Sequence, residues 1–250
     1  MSQRSSLITI AQRLREDLSG LRFGPPVYHV YNPLTYAWAA HRKYLARFGK
    51  GRHPVLIVGM NPGYFGMVQT GVPFGDVTMV RDCLEIHERV RRPQTEHPKR
   101  PIEGFACRRR EISGERLWGW ARERFRTPER FFAHFFVLNY CPLCFLGKSG
   151  AVRTPDKLPA SGRELLFAAC DRALLTAADA VGASYAIGLG RFAERRVVAV
   201  LGDVVTCGGA PHPSPANTLA SRRWPAAMNR ALVALGVRVP FDRCETDQPQ

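Results

Sequence analysis

Three polar side chains of this sequence each come shortly after a short apolar run that predicts a buried strand. They are the amides of Asn61 and Asn139 and the imidazole of His212. In a parallel sheet the carboxyl ends of the strands lie along one edge, and ligands bind in the crevice outside that edge. We therefore expect the two amides and the imidazole to converge on one site, although they are far apart in the chain.

These side-chain types orient and polarise a bound molecule without acting as a strong base or nucleophile. The oxygen of Asn61 can hold a water molecule, but an amide is not a general base at neutral pH. His212 lies between Pro211 and Pro213, which restrict its loop, and it can donate a hydrogen bond to an oxygen that gains negative charge. Asn139 presents an acceptor and a donor side by side, which suits recognition of a planar polar edge.

Apolar periodicity predicts the elements that would hold these residues. Runs with helical spacing alternate with short apolar runs that end in turn residues. Such alternation predicts an α/β fold with three layers, a small parallel sheet between helices, in one domain spanning 1–250 with flexible ends at about 1–5 and 243–250. The predicted helices are 8–21, 36–48, 164–180, 192–201 and 226–235, the predicted strands are 54–58, 131–138 (with or without a short helix at its start), 185–187 and 204–206, and the predicted surface segments are 87–116 and 148–163.

The net charge indicates a polyanionic partner. Lys and Arg number 36 against 21 Asp and Glu, which gives a formal net charge of +15 and a pI near 10.2. Nucleic acid is the partner that this excess favours; an anionic membrane is less common, and a basic protein without either is the remaining alternative. No apolar run reaches the roughly 20 residues of a membrane span, and the amino terminus has no apolar signal core. We expect an intracellular protein without membrane contact, in the cytoplasm or nucleoid if it is bacterial.

Two further motifs have functional and structural interpretations. Cys141 and Cys144 form a Cys-x-x-Cys pair, typical of a redox pair or half of a metal site. However, the pair lies in an apolar run with no second such pair, which favours buried thiols. Gly188 and Gly190 match a G-x-G-x-x-A dinucleotide motif, although Asp203 follows too early, which favours a tight strand-to-helix turn. We predict no metal and no cofactor.

The long motif at 59–75 closely resembles the first catalytic motif of the single-strand-selective monofunctional uracil-DNA glycosylase (SMUG) family. His212-Pro213-Ser214-Pro215 resembles the second motif of that family. The resemblance runs from about 27 to 235 and implies a uracil-DNA glycosylase-like fold. It also implies a monomeric, metal-free and monofunctional enzyme that hydrolyses the N-glycosidic bond of uracil, and of relatives such as 5-hydroxymethyluracil, in single- and double-stranded DNA. Further segments that resemble the family are 31–33, 36–38, 97–101, 113–114, 118–119 and 139–143.

The resemblance also implies roles for individual residues. Asn61 would hold the attacking water and His212 would stabilise the departing uracil anion, so these two are the expected catalytic residues. Uracil itself would be bound by Met60, Gly63, Phe74 and Asn139, with Phe74 stacking on the ring, Asn139 reading N3 and O4, and Gly63 leaving room at C5. The expected DNA contacts are Ser149, Arg153, Lys157, Arg163, Ser214, Ala216, Arg222 and Arg223.

Two residues depart from the family pattern. Tyr64 stands where the family usually has proline, which would reshape the pocket. Ala216 stands where the family usually has an arginine that wedges the duplex open, so we expect a preference for single strands unless Arg222 or Arg223 takes its place. The alternative function is a catalytically altered DNA-binding member of the same fold.

Overall fold

In the computed structural model of the chain, residues 6–214 and 223–238 are described, without the side chain of Ser161. The strands of this part are β1 (His29–Tyr31), β2 (Val55–Gly59), β3 (Phe135–Asn139), β4 (Cys144–Leu146), β5 (Val152–Arg153), β6 (Tyr185–Leu189) and β7 (Thr206–Ala210). Its α-helices are α1 (Leu7–Ser19), α2 (Pro33–Tyr36), α3 (Trp38–Phe48), α4 (Met67–Thr70), α5 (Ile112–Phe125), α6 (Pro128–Phe132), α7 (Ala160–Val181), α8 (Arg191–Leu201) and α9 (Trp224–Ala234).

A parallel sheet with the order β3-β2-β6-β7 lies at the centre of the described residues. β2 is buried along its whole length, as expected of a parallel strand that is covered on both faces. The register pairs Gly59, the last residue of β2, with Asn139, the last residue of β3. The strand ends that precede the predicted site residues therefore lie level at one edge of the sheet.

Helices cover both faces of this sheet. On β3, the ring of Phe135 packs against Trp120 of α5 with centroids 5.8 Å apart, while the ring of Phe136 packs against Tyr44 of α3 at 5.4 Å. Because successive side chains of a strand point to opposite faces, α5 and α3 lie on opposite sides of the sheet. The predicted three-layer α/β fold is confirmed.

A second, antiparallel sheet with the order β1-β4-β5 has no clear signal in the sequence. Its strands are two or three residues long, too short to show an alternating pattern. β1 pairs with β4 from His29 opposite Leu146 to Tyr31 opposite Cys144. This pairing fixes the segment that follows β3 and so places it beside the carboxyl edge of the central sheet.

The helix α5 begins inside the predicted surface segment 87–116, so that part of the prediction is wrong. Gly114 and Gly119 obscure the helix in the sequence, because glycine is a poor helix former. A Cβ on Gly114 would lie 1.9 Å from the carbonyl oxygen of Phe74, so close packing requires glycine there. The buried ring of Trp118 then anchors the helix to the core.

The strand β7 starts at the last residue of the predicted strand 204–206 and runs on through two glycines. A Cβ on Gly208 would lie 2.6 Å from the side chain of Leu235, and one on Gly209 would lie 2.4 Å from that of Glu194. The flanking helices thus approach both faces so closely that side chains do not fit. The strand therefore lacks the apolar residues by which strands are recognised.

The predicted basic loop 148–163 contains more structure than expected. β5 lies within it, and α7 begins directly after Pro159, before the predicted helix start at 164. Proline restricts the backbone before the helix and is tolerated at its start. No described helix, the long α7 included, is apolar enough to cross a membrane.

Candidate active site

The loop after β2 positions Asn61. Backbone hydrogen bonds from Tyr140 to Gly59 (2.9 Å) and from Cys141 to Met60 (2.9 Å) extend the pairing of β2 and β3 beyond the sheet. The side-chain nitrogen of Asn61 donates to the carbonyl oxygen of Leu143 at 3.3 Å. Since this bond uses the amide nitrogen, the amide oxygen is turned the other way and can accept a hydrogen bond from water.

Asn139 and Phe74 meet above Gly59. A Cβ on Gly59 would lie 2.4 Å from the side-chain oxygen of Asn139 and 2.6 Å from the ring of Phe74. The amide and the ring therefore converge only because residue 59 has no side chain. The amide nitrogen of Asn139 contacts the sulfur of Met67 at 3.3 Å, a weak acceptor that leaves the amide available for a ligand.

Phe74 has a backbone conformation that is unusual for its type. Its φ of 53° lies in the left-handed region, where a residue with a bulky side chain is strained. Its carbonyl oxygen accepts hydrogen bonds from the indole of Trp118 (3.0 Å) and from the backbone N–H of Asp76 (2.9 Å), which hold this conformation. The ring centroid lies 6.1 Å from that of His212. Strain of this kind, imposed by the surroundings, is typical of functional sites.

The hydrogen bonding and burial of His212 favour one neutral tautomer. Its Nδ1 accepts a hydrogen bond from the backbone N–H of Ser214 at 3.1 Å. The neutral ring therefore carries its proton on Nε2, which remains a donor. Burial lowers the pKa of His212 below its usual 6.5 and so favours this neutral form. Arg116 of α5 holds the loop by donating to the carbonyl oxygen of Pro213 at 2.8 Å.

Gly190 supports the ring of His212 from the other side. Its φ is 86°, and a Cβ there would lie 3.2 Å from the Cβ of His212. A Cβ on Gly188 would lie 2.2 Å from the backbone nitrogen of Glu194, at the start of α8. Close packing thus accounts for both glycines of the G-x-G-x-x-A motif as a tight turn that supports the histidine.

We expect Gly190→Ala to slow catalysis by about 10-fold or more, since small displacements of a catalytic group reduce rates steeply. The new methyl group would press on His212 and move its ring. Gly51→Ala is the matched control, because Gly51 has a φ of 89° and nothing within 4 Å of its Cβ position. Single-turnover rates of the two variants are compared with the rate of the parent protein. An equal reduction in both variants would show that backbone strain, not contact with His212, slows catalysis.

A carboxyl group lies beside the other glycine expected in the pocket. The Oε2 of Glu111 is 2.4 Å from the position that a Cβ on Gly63 would take. Burial raises the pKa of Glu111, and the charge of Asp76 raises it further. Tyr64 has its own partners. Its hydroxyl donates to the carbonyl oxygen of Pro101, and the guanidinium of Arg100 lies 5.0 Å from its ring.

The predicted DNA contacts differ in their surroundings. Ser149 and Lys157 are exposed, Arg153 is half-buried in β5, and Arg223 is exposed just before α9. Arg163 donates to the carbonyl oxygens of Asp156 (3.2 Å) and Leu158 (3.5 Å), so it stabilises the turn beside Lys157. The half-buried Ser214 holds His212 through its backbone, while Ala216 and Arg222 lie outside the described residues.

The cysteines described in the structure carry free thiols. Cys141 and Cys144 are buried, as predicted for the Cys-x-x-Cys pair in an apolar run. Within the described ranges, no group of three or more His, Cys, Asp or Glu residues is arranged to hold a metal ion.

Sequence reasoning missed three residues that shape the site, namely Glu111, Arg116 and Trp118. Each acts through a contact with a residue distant in the chain, so spacing does not reveal it. The side chain of Glu111 caps α5 by accepting from the backbone N–H of Ser113. Glutamate is not among the usual N-cap residues, so its type does not indicate this position.

Comparison with known proteins identifies relatives. A family model described as the uracil DNA glycosylase superfamily matches residues 46–236. Over 228 residues, 90% of this chain, the sequence is 47% identical to the single-strand selective monofunctional uracil DNA glycosylases of Mus musculus and Rattus norvegicus, covering 82% of each. It is 46% identical to that of Bos taurus, covering 84%. The crystal structure of wild-type SMUG2 from Pedobacter heparinus superimposes with a TM-score of 0.61 at 17% identity, covering 92% of this chain and 99% of that one, which shows a shared fold.

Proposed function

Because this chain belongs to the single-strand-selective monofunctional uracil-DNA glycosylase (SMUG) family of the uracil DNA glycosylase superfamily, we propose that it removes uracil from single- and double-stranded DNA. It is a hydrolase of N-glycosyl bonds that acts in base-excision DNA repair. The observation that carries the proposal is the convergence of the Asn139 amide and the Phe74 ring above Gly59, with the ring of His212 6.1 Å from that of Phe74. We extend the proposal to uracils substituted at C5, such as 5-hydroxymethyluracil.

The pocket suits a uracil that has left the base stack. An enzyme that acts on a base must take it out of the helix and read its exposed edge. The ring of Phe74 offers a face for stacking, and the Asn139 amide offers an acceptor for the N3 hydrogen and a donor for O4. The carbonyl oxygen of Met60 accepts a hydrogen bond from the backbone N–H of Cys141 at 2.9 Å, which holds the backbone next to Asn61 in place.

The reaction adds water across the bond between C1′ of the sugar and N1 of the base. As that bond breaks, its electron pair leaves with the base, and negative charge spreads to the uracil oxygens. Asn139 binds O4, and Nε2–H of His212 donates to O2, which stabilises the leaving anion. The oxygen of Asn61 holds the water that attacks the cation-like C1′. The hydroxyl joins C1′ and a proton joins the base.

The phosphate backbone would be held by basic residues beside this pocket. Arg153 and Lys157 lie in the segment that follows β4. Leu143, the residue before β4, accepts a hydrogen bond from the side chain of Asn61, so this segment is connected to the loop that carries Asn61. Arginine and lysine neutralise phosphates and release counterions from DNA. The excess of 36 basic over 21 acidic residues supports binding of this kind.

We expect affinity for undamaged single-stranded DNA to fall steeply with salt. Replacing Arg153 and Lys157 with alanine should reduce the steepness of the slope of log K against log salt by about 0.7 for each phosphate that is no longer neutralised. The matched control replaces Lys50 and Arg52, which precede β2 and so lie at the opposite edge of the sheet. Both double variants lose two positive charges. Equal slopes in the two would indicate that net charge, not this segment, binds DNA.

The experiment that tests the function is release of uracil from single-stranded and duplex oligonucleotides under single-turnover conditions. We expect release by the parent protein and a rate lower by about 10²-fold or more for Asn61→Ala, with DNA binding retained, because the amide supplies orientation and not affinity. Binding without uracil release by the parent protein would instead support the alternative, a DNA-binding member of the fold that has lost catalysis.

A further inference from the structure

A groove of about 720 Å³ lies beside the loop that carries Asn61. Its lining includes Leu143, whose carbonyl oxygen accepts the hydrogen bond from the side chain of Asn61 at 3.3 Å. The segment after α1 forms another wall, and a Cβ on Gly162 would lie 3.0 Å from the ring of Phe23 in that segment. Gly162 belongs to the first turn of α7, shortly after Lys157. The walls of the groove therefore adjoin both the Asn61 loop and the basic segment proposed to bind phosphates.

The lining of this groove is basic, and its described residues include no aspartate or glutamate. The charged side chains are those of Arg22, Arg91 and Arg92, and all three are exposed. Arg22 donates to the carbonyl oxygens of Ser19 (3.4 Å) and Leu21 (3.2 Å), which are neutral acceptors of its own segment. These positive charges are therefore available to an external anion. We call this cavity the arginine groove.

The backbone that carries two of these arginines is held in place at both ends. The N–H of Arg91 donates to the carbonyl oxygen of Tyr36 at 2.9 Å. A few residues later, the N–H of His97 donates to the hydroxyl of Tyr31 at 2.8 Å. Both tyrosines are buried, so the wall of the groove exists before any ligand binds. Binding there needs little ordering of the chain, which lowers its entropic cost.

Charge and shape favour an unpaired strand of DNA as the occupant. Proteins that bind single strands combine a basic groove, which follows the phosphates, with aromatic rings on which bases stack. The arginines supply the charge, and the lining also contains the half-buried ring of Phe23 and the exposed amide of Gln94. An unpaired strand bends and exposes its bases, whereas a duplex is stiff and keeps its bases stacked inside. A cavity of this size therefore admits the single strand and excludes the duplex.

We infer that the arginine groove binds nucleotides that flank the target uracil in unpaired DNA and so adds affinity for single strands that duplexes do not gain. The inference rests on the proposed function. A strand whose uracil occupies the pocket passes Asn61, and Leu143 brings the groove next to that point. The groove thus extends the binding surface beyond the pocket and beyond the segment that carries Arg153 and Lys157.

The test measures the Kd of a strand of thymidine nucleotides and of its duplex with the complementary strand, both without uracil. We expect Arg91→Ala with Arg92→Ala to weaken single-strand binding by about 10-fold at low salt, because phosphate contacts are lost. Duplex binding should weaken no more than in the matched control. That control is Lys50→Ala with Arg52→Ala, which removes two exposed charges at the opposite edge of the sheet.

A second variant tests the aromatic part of the groove. The ring of Phe23 packs edge to face with that of Phe145, with centroids 4.9 Å apart. Phe23→Leu keeps an apolar side chain at this contact and removes the ring on which a base would stack. It should weaken single-strand binding by about 5-fold, at the lower end of the effect of losing one stacked base, and leave duplex binding unchanged.

Equal losses of single-strand affinity in the two double variants would overturn the inference, because net charge alone would then account for binding. Equal losses on single strand and duplex in Arg91→Ala with Arg92→Ala would also overturn it, since these arginines would then contact any phosphate backbone. The DNA used contains no uracil, so these results do not depend on catalysis. Absence of uracil release by the parent protein would contradict the proposed function itself, which is a separate outcome.

Discussion

We expect His212→Ala to slow uracil release by about 10²- to 10³-fold, the usual effect of removing one donor that stabilises a developing anion. The Nε2–H of His212 is held ready, because the backbone N–H of Ser214 occupies Nδ1 and the ring packs against Gly190. Preorganised donors need no rearrangement as charge develops. Single-turnover rates at saturating enzyme measure the loss, and a rate within a few-fold of the parent would show that His212 does not stabilise the leaving group.

The acid side of the pH–rate profile gives a second readout of the same residue. Burial lowers the pKa of His212, so protonation of its ring is disfavoured in the folded protein. The neutral form therefore persists as the pH falls through 6.5, and the rate should decline only at lower pH, when Nδ1 gains a proton and loses its bond from Ser214. His212→Gln keeps a neutral donor that does not titrate, so the decline due to this ring should disappear.

A control separates this effect from general damage to the protein. His87 is an exposed histidine whose ring packs on Phe105 with centroids 4.9 Å apart. His87→Ala should keep the parent rate and the parent pH profile. If the acid decline persisted in His212→Gln, a different group would be responsible for it.

The sequence predicts those strands and helices whose pattern of apolar side chains is sufficient to identify them. β2 is a continuous apolar run, and a run of this kind that ends in a turn needs no tertiary information to be recognised. The position of β7 is predicted incorrectly because close packing requires glycine at 208 and 209, and glycine does not indicate a strand. The start of α5 is missed for a similar reason, since Gly114 makes room for the carbonyl of Phe74.

Some residues of the candidate site can likewise be predicted from the sequence, and others cannot. Asn61, Asn139 and His212 are predictable because each lies at or just after the end of a strand, and parallel strands bring their carboxyl ends together. Phe74 is predictable only through its motif, because its unusual backbone conformation depends on the indole of Trp118. The contact of Glu111 with Gly63 joins residues that are distant in the chain, so neither composition nor periodicity indicates it.

Asn139→Asp should abolish most activity on uracil, by about 10³-fold or more, because a site built around hydrogen bonds strongly rejects a mismatched partner. The amide of Asn139 can donate to O4 and accept from N3. An ionised aspartate only accepts, so its second oxygen would face O4 with no proton between them. The replaced nitrogen lies 3.3 Å from the sulfur of Met67, and the amide oxygen that remains lies beside the ring of Phe74 above Gly59, so water cannot easily compensate.

The same substitution should produce a trace of activity on cytosine, which separates base reading from loss of structure. A protonated aspartate donates to N3 of cytosine and accepts from its N4 amino group, so it matches the edge that the amide does not.

Asn32→Asp is the matched control. Its side-chain oxygen caps α2 by accepting from the backbone N–H of Leu34 at 3.0 Å, a role that aspartate fills equally well. Release of uracil and cytosine from otherwise identical single strands measures both effects. Full uracil activity in Asn139→Asp would mean that this residue does not read the base, whereas loss on uracil in both variants would point to the fold.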